Sequence, residues 1–106
     1  MASVGADLVA GCAALHRGHW NEARRAFDRA WSADNTCAEA LCGRAAALLQ
    51  DGEVEAATEL FAQAAMLAPE MAAAYAGSAA CAYLSGDDYQ AMIDYRRALG
   101  YAVARR

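Results

Sequence analysis

A period of 34 residues runs through the chain and limits what it can fold into more than any other feature. Gly18, Gly52 and Gly86 are spaced by it, as are Ala23, Ala57 and Ala91, the aromatic set Phe27, Phe61 and Tyr95, and then Ala30, Ala64 and Ala98. Earlier in each copy, Gly11, Ala45 and Ala79 keep the same step, and so do Ala14, Leu48 and Ala82. A repeat of this length is one supersecondary unit, too small to bury its own apolar side, so the copies must stack and share a continuous core. The glycines and aromatics carry most of the weight. Hydrophobic residues make up 58% of the chain and Ala supplies much of that share, so a match of Ala to Ala says little.

Each register has a physical reason. A glycine closes the first helix of each copy and lets the chain turn, because it tolerates positive φ. Ala and Gly inside the helices let antiparallel neighbours approach closely, and the aromatics fill the wedge between one copy and the next. Trp20, Ala23, Phe27 and Ala30 recur at steps of three and four, which is one face of a helix. An Ala-rich sequence with a single Pro, Pro69, favours helix elsewhere too. The Thr36-Cys37-Ala38-Glu39 pattern predicts a capping box at the start of the third helix. Pro69 is expected in the first turn of the fifth helix, and Asp87 or Asp88 is expected to cap the sixth. The spacing predicts six helices, at about 3–17, 20–33, 37–50, 53–67, 70–84 and 87–99.

The 34-residue period, the run Gly18-x-Trp20-x-x-Ala23-x-x-x-Phe27-x-x-Ala30 and the closing Pro69 resemble the tetratricopeptide repeat family. The resemblance spans roughly Val4 to Leu99, and Ala38 to Pro69 is the copy that matches best. It implies an all-α fold over residues 1–106, a single domain of three tandem helix-turn-helix repeats (about 4–37, 38–71 and 72–106) forming a short right-handed α-solenoid. It also implies that the first helix of each pair lines a concave inner surface and the second forms the convex outer one. Three positions depart from the pattern. Asp7 stands where later copies have Leu41 and Tyr75, which predicts an edge of the first helix open to water. Arg44 takes a usually apolar place. Tyr89 comes one residue later than Trp20 and Val54, which predicts a third turn that differs in detail.

The formal charge is −4 and every basic residue is Arg. An acidic chain without clustered cations is unsuited to phosphate backbones, so a nucleic-acid partner is not expected. No cationic stretch precedes an apolar core as in a signal peptide, and the uncharged run Met71 to Gly86 is too short and too rich in Ala and Gly to span a bilayer, so no membrane partner is expected. Cys12, Cys37, Cys42 and Cys81 form no Cys-x-x-Cys pair and read as reduced thiols of a cytoplasmic protein.

Charge is distributed unevenly among the helices. The second helices hold Glu22, Arg24, Arg25, Asp28, Arg29, Glu53, Glu55, Glu59, Asp94, Arg96 and Arg97, whereas Met71 to Leu84 has none. One step from the packing registers, the inner helices place Leu8, Cys42 and Ala76, then Cys12, Ala46 and Ala80, then Leu15, Leu49 and Tyr83, with His16 beside them. These residues are the expected partner-binding groove. If ~400 Å² of such surface were open, covering it at about 25 cal/mol per Å² would release roughly 10 kcal/mol before ordering costs. That rivals the stability of a small domain, so the groove is expected to be covered by a second chain.

The expected function is therefore polypeptide binding, as an adaptor or chaperone holding an apolar or amphipathic segment. A self-associating scaffold, such as a homodimer sealed through the groove or the last repeat, is the alternative. Some tetratricopeptide proteins grip an acidic C-terminal tail through Lys, Arg and Asn in the groove. Here the corresponding places hold Leu8, Cys12, Gly43, Ala73 and Gly77, which excludes that mode. The size and the apolar groove are more similar to the small tetratricopeptide chaperones of bacterial type III secretion. No nucleophile–base motif, phosphate loop or acid pair points to an enzyme, and no cofactor is expected. Cys12, His16 and Cys42, with His19, fall short of a tetrahedral metal site, and the cysteines read as small apolar packing residues.

Overall fold

The computed structural model describes residues 3–104, and every regular element among them is an α-helix. The helices are α1 (Val4–His16), α2 (Trp20–Ala33), α3 (Ala38–Gln50), α4 (Val54–Leu67), α5 (Ala72–Leu84) and α6 (Asp88–Ala104). They pair as α1 with α2, α3 with α4 and α5 with α6, and each pair packs on the next through α2 with α3 and α4 with α5. The first helices also touch in succession, α1 with α3 and α3 with α5, while no contact joins α2 to α4 or α4 to α6. A layer whose members touch, backed by a layer whose members do not, curves toward the side of the touching helices. The odd-numbered helices therefore line the concave side.

The 34-residue step is visible in the hydrogen bonds of the turns. Gly18, Gly52 and Gly86 have φ of 77°, 85° and 86° and are the positive-φ residues. Just beyond each, the main-chain N–H of His19, Glu53 and Asp87 donates to the carbonyl of Ala14, Leu48 and Ala82, each at 2.9 Å. This is the six-to-one bond of a Schellman motif, made three times in the same register. Ser3 caps α1 by accepting from the Ala6 N–H at 3.0 Å. Asp87 caps α6 as expected, accepting from the Gln90 N–H at 3.0 Å.

Between the pairs the aromatics fill the wedge. Phe27 is 1% exposed and lies against both Gly11 of α1 and Gly43 of α3; Phe61 is 3% exposed and lies against Gly77 of α5. A Cβ at Gly43 or Gly77 would stand 2.2 Å from the nearest ring carbon, so the absence of a side chain there is what admits the ring. Around the rings Ala23, Ala30, Ala57 and Ala64 are fully buried, and Leu41, Leu48, Ala45 and Cys81 complete the core.

Several expectations need correction. The capping box at α3 does not form: Cys37 is the N-cap residue and makes no side-chain cap bond, because Thr36 instead turns back to Asp34, Oγ1 donating at 2.6 Å and N–H at 2.9 Å. Those bonds hold the Asp34 carboxyl below its usual range. Pro69 does not open α5. It remains in the turn, where its carbonyl accepts from the Tyr75 hydroxyl at 2.8 Å, and α5 begins at Ala72. Asp7 is not open to water but 7% exposed, accepting from the Arg29 Nε–H of α2 at 3.1 Å. The third turn has the same backbone as the first two, and Tyr89 is simply left outside, 74% exposed. Finally, α6 passes Leu99 and Gly100 to reach Ala104, and Tyr101 stacks on Tyr75 of α5 with ring centroids 5.4 Å apart.

Candidate functional site

The inner surface is built by α1, α3 and α5, and it is kept poor in charge in two ways. The α5 helix has no ionisable acid or base in its sequence apart from Cys81 and the tyrosine hydroxyls. The two charged residues that could spoil the neighbouring walls are both drawn to α2. Asp7 pairs with Arg29, and Arg44 pairs with Asp28 through Nε at 3.1 Å. Arg44, in its usually apolar place, therefore serves as a strut between α3 and the outer layer. Glu39 alone keeps an exposed carboxylate on the inner side of α3.

The expected groove residues divide into three groups. Cys12, His16, Ala76, Ala80 and Tyr83 are exposed, and Tyr83 stands 68% open. Leu8, Leu15, Ala46 and Leu49 are half-buried and form the floor, with Leu8 and Leu15 resting on the Ala14–Phe27 cluster and Leu49 on the Leu41–Phe61 cluster. Cys42 does not belong to the surface. It is 8% exposed, with its thiol 3.8 Å from the Met71 Sδ, because the helix rotation that seats Leu41 and Ala45 in the core carries Cys42 inward too. Burial pushes its thiol up to about 11, and burial raises Cys81 and Cys37 as well. Raised thiols of this kind are inert packing groups.

Rotation by the same fraction of a turn brings forward residues that the register arithmetic passed over. Glu39, Gln50, Ala73 and Leu84 are exposed on the inner helices, and they sit one step further round than Cys42, Leu49, Ala76 and Tyr83. The signal was present in the sequence, since Gly5, Glu39 and Ala73 and then His16, Gln50 and Leu84 also keep the 34-residue step. The wall is thus Ala-rich on α5, with Ala73, Ala76 and Ala80 exposed, mixed on α1, with Gly5, Cys12 and His16 exposed over Leu8 and Leu15, and edged by Tyr83 and Leu84 at one end. Small side chains leave space for an inserted segment and supply little polarity to orient one.

A second apolar depression, which the sequence did not suggest, lies on the outer side. Trp31, Leu41, Gln63, Met66 and Leu67 enclose about 240 Å³ between α2 and α4, and Met66 is 82% exposed there. Among the described residues no cluster of three or more His, Cys, Asp or Glu is placed to hold a metal ion. No helix among them is long and apolar enough to cross a membrane.

No protein-family model matches the chain, and no curated protein does. Solved structures do. The second TPR domain of Spaghetti (RPAP3), bound to the HSP90 peptide SRMEEVD, superposes with a TM-score of 0.83 at 23% identity, covering 92% of this chain and 90% of that one. A crystal structure of MamA gives 0.82 at 20% identity over 97% of this chain, and MamA MSR-1 C2 gives 0.79 at 15% over 98%. This chain spans 60% of the length of each of those two. The expectation of a tetratricopeptide architecture therefore holds: the chain has the tetratricopeptide-repeat fold, an all-α solenoid of three helix-turn-helix repeats.

Proposed function

We propose that the protein is a polypeptide-binding module, an adaptor or chaperone of the cytoplasm, whose concave face takes an apolar or amphipathic segment of another protein. The observation that carries this reading is the scarcity of free charge on the inner helices: α5 carries no Asp, Glu or Arg, Asp7 of α1 is drawn to Arg29 and Arg44 of α3 to Asp28, which leaves Glu39 as the exposed carboxylate. Two ion pairs spanning the helix layers are an arrangement that keeps a surface apolar. The three repeats act as one unit from residue 4 to the end of α6.

The Spaghetti domain holds an acidic peptide, and this chain is not suited to the same ligand. Leu8, Cys12, Gly43, Ala73 and Gly77 offer no cation, and the exposed charge on the inner side of α3 is Glu39. Small side chains leave room for a helix to approach closely, and the apolar area covered supplies the driving force, so an amphipathic helix laid along the groove is the favoured occupant. Small type III secretion chaperones of the same architecture provide the functional analogy. A self-associating scaffold is the second reading, favoured by the exposed apolar face of α6.

Selection from a random peptide display library tests the proposal. Enriched peptides should carry apolar residues at three- and four-residue spacing. Their affinity should fall by roughly ten-fold or more in Ala80→Glu, which places a charge on the exposed wall, and stay unchanged in Glu55→Ala on the outer side. Enrichment of peptides with acidic C-termini, or binding indifferent to Ala80→Glu, would overturn it.

A further inference from the structure

Phe27 and Phe61 are sealed by valleys of small residues on the next inner helix, Ala40, Gly43 and Ala47 in α3 and Ala74, Gly77 and Cys81 in α5. Tyr95 holds the same register in α6 and is 56% exposed, because among the described residues α6 packs on α5 alone. Around it Leu84, Tyr89, Met92 and Leu99 are exposed by 59%, 74%, 49% and 48%. Large exposed hydrophobics are concentrated at this end of the solenoid. The question is what covers them.

A copy stacked head to tail would continue the solenoid, and the sequence forbids it. In that joint α1 of the next copy would present Ala6, Val9 and Ala13 in the valley registers, with Val9 in the place of Gly43 and Gly77. A bare Cβ at those glycines already stands 2.2 Å from the aromatic ring, and valine adds two methyl groups beyond it. An open polymer in the register of the repeats is therefore excluded by close packing.

The geometry points to a second copy of this chain seated on this face by a two-fold axis, with the two α6 helices antiparallel about Met92. Asp88, Met92 and Arg96 form one row at four-residue steps. Rotation about Met92 sets each Asp88 toward Arg96 of the second copy and each Tyr89 toward its Tyr95, so the face complements itself in charge as an isologous contact must. Neither Asp88 nor Arg96 forms an ion pair among the described residues. With side chains of roughly 150–250 Å², the exposed fractions leave about 600 Å² per copy, or ~1,200 Å² for the pair, which is at the lower edge of stable interfaces. Tyr, Met and Arg are also the side chains enriched at such contacts. The hydroxyl of Tyr95, absent from Phe27 and Phe61, suits a contact with a wet rim better than a sealed core. Apart from Leu84 of α5, which borders the edge of the groove, the contact is made by α6 and lies outside the groove.

Sedimentation velocity of the full chain over a concentration series, with reciprocal charge reversals, tests the inference. The wild type should pass from one to two copies and stop there. Asp88→Arg and Arg96→Asp should each weaken association by about ten-fold, since every reversal acts twice in a two-fold contact, and the double variant should recover most of the loss. Tyr95→Glu, at a position open in the single chain, should abolish the pair without lowering helical content by circular dichroism. A wild type that is monomeric at every concentration, growth beyond two copies, or a double variant as weak as the singles would overturn the assignment.

Discussion

Substitution of Gly43 by Ala sets two effects of known size against each other. In an open helix Ala is more favourable than Gly by about 1 kcal/mol. At Gly43 the new Cβ would stand 2.2 Å from Phe27 Cε1, so the ring must retreat by more than ~1 Å to reach ordinary contact. It has little room to do so: Phe27 is 1% exposed, and Gly11 holds the other side with its own virtual Cβ 2.6 Å from the ring. Overpacking of this kind costs about 1–3 kcal/mol, sometimes more, and exceeds the propensity gain. The net expectation is a loss of up to ~2 kcal/mol, or up to roughly 15 °C in melting temperature for a domain this small. Gly100→Ala in α6, which meets nothing within 4 Å, is the control and should gain about 0.5–1 kcal/mol. Both are read by urea titration followed by circular dichroism. A stabilisation of Gly43→Ala equal to that of Gly100→Ala would refute the claim that glycine is there to admit the ring.

Further outcomes follow from particular contacts. Asp7→Ala should cost about 1 kcal/mol or less, since it removes the pair but leaves Arg29, 57% exposed, free to be hydrated, whereas Asp7→Leu, which places there the residue found at Leu41, should be neutral or stabilising in the same titration. With Ellman's reagent under native conditions, Cys12 should react first and Cys42 and Cys81 only on unfolding; fast reaction of either buried thiol would contradict their placement. Because burial raises the Cys42 thiol to about 11 from an ordinary 9.0, the unfolded chain loses that proton first as pH rises. The contribution is fully present below pH 9 and lost between about 9 and 11, and Cys42→Ala should flatten that part of the stability profile. Leu15→Glu and Leu49→Glu should unfold part of the population as well as block binding, since both side chains rest on the core; a fully folded, binding-deficient protein would show them to be surface residues alone.

The architecture was legible because the repeat encodes it redundantly. The glycines mark the Schellman turns, the carbonyls they serve lie in the Ala14–Leu48–Ala82 register, and the aromatics mark the wedges. What escaped was decided by competition between near neighbours. Thr36 had two partners within reach, Glu39 and Asp34, and the tighter local turn won. Asp7 looked solvent-facing because its partner, Arg29, is 22 residues away and on another helix. The groove lies a fraction of a turn out of phase with the register that the sequence suggests. In an Ala-rich helix almost every face is apolar, so periodicity fixes which residues face inward less sharply than it fixes the helix itself. Hence the pattern alone puts Cys42 outside, whereas the structure buries it and exposes Glu39 and Leu84.

The central claim is that the inner side of α1, α3 and α5, on which Glu39 is the exposed carboxylate, is where another polypeptide docks. A photo-reactive amino acid introduced at Ala80, on the exposed wall of α5, and in a separate variant at Glu55, on the outer side of α4, tests it in the native host. The account predicts a discrete adduct from position 80, with the cross-linked partner peptide apolar or amphipathic, and none from position 55. A discrete adduct from position 55 with nothing at 80 would contradict it and move the docking surface to the convex side.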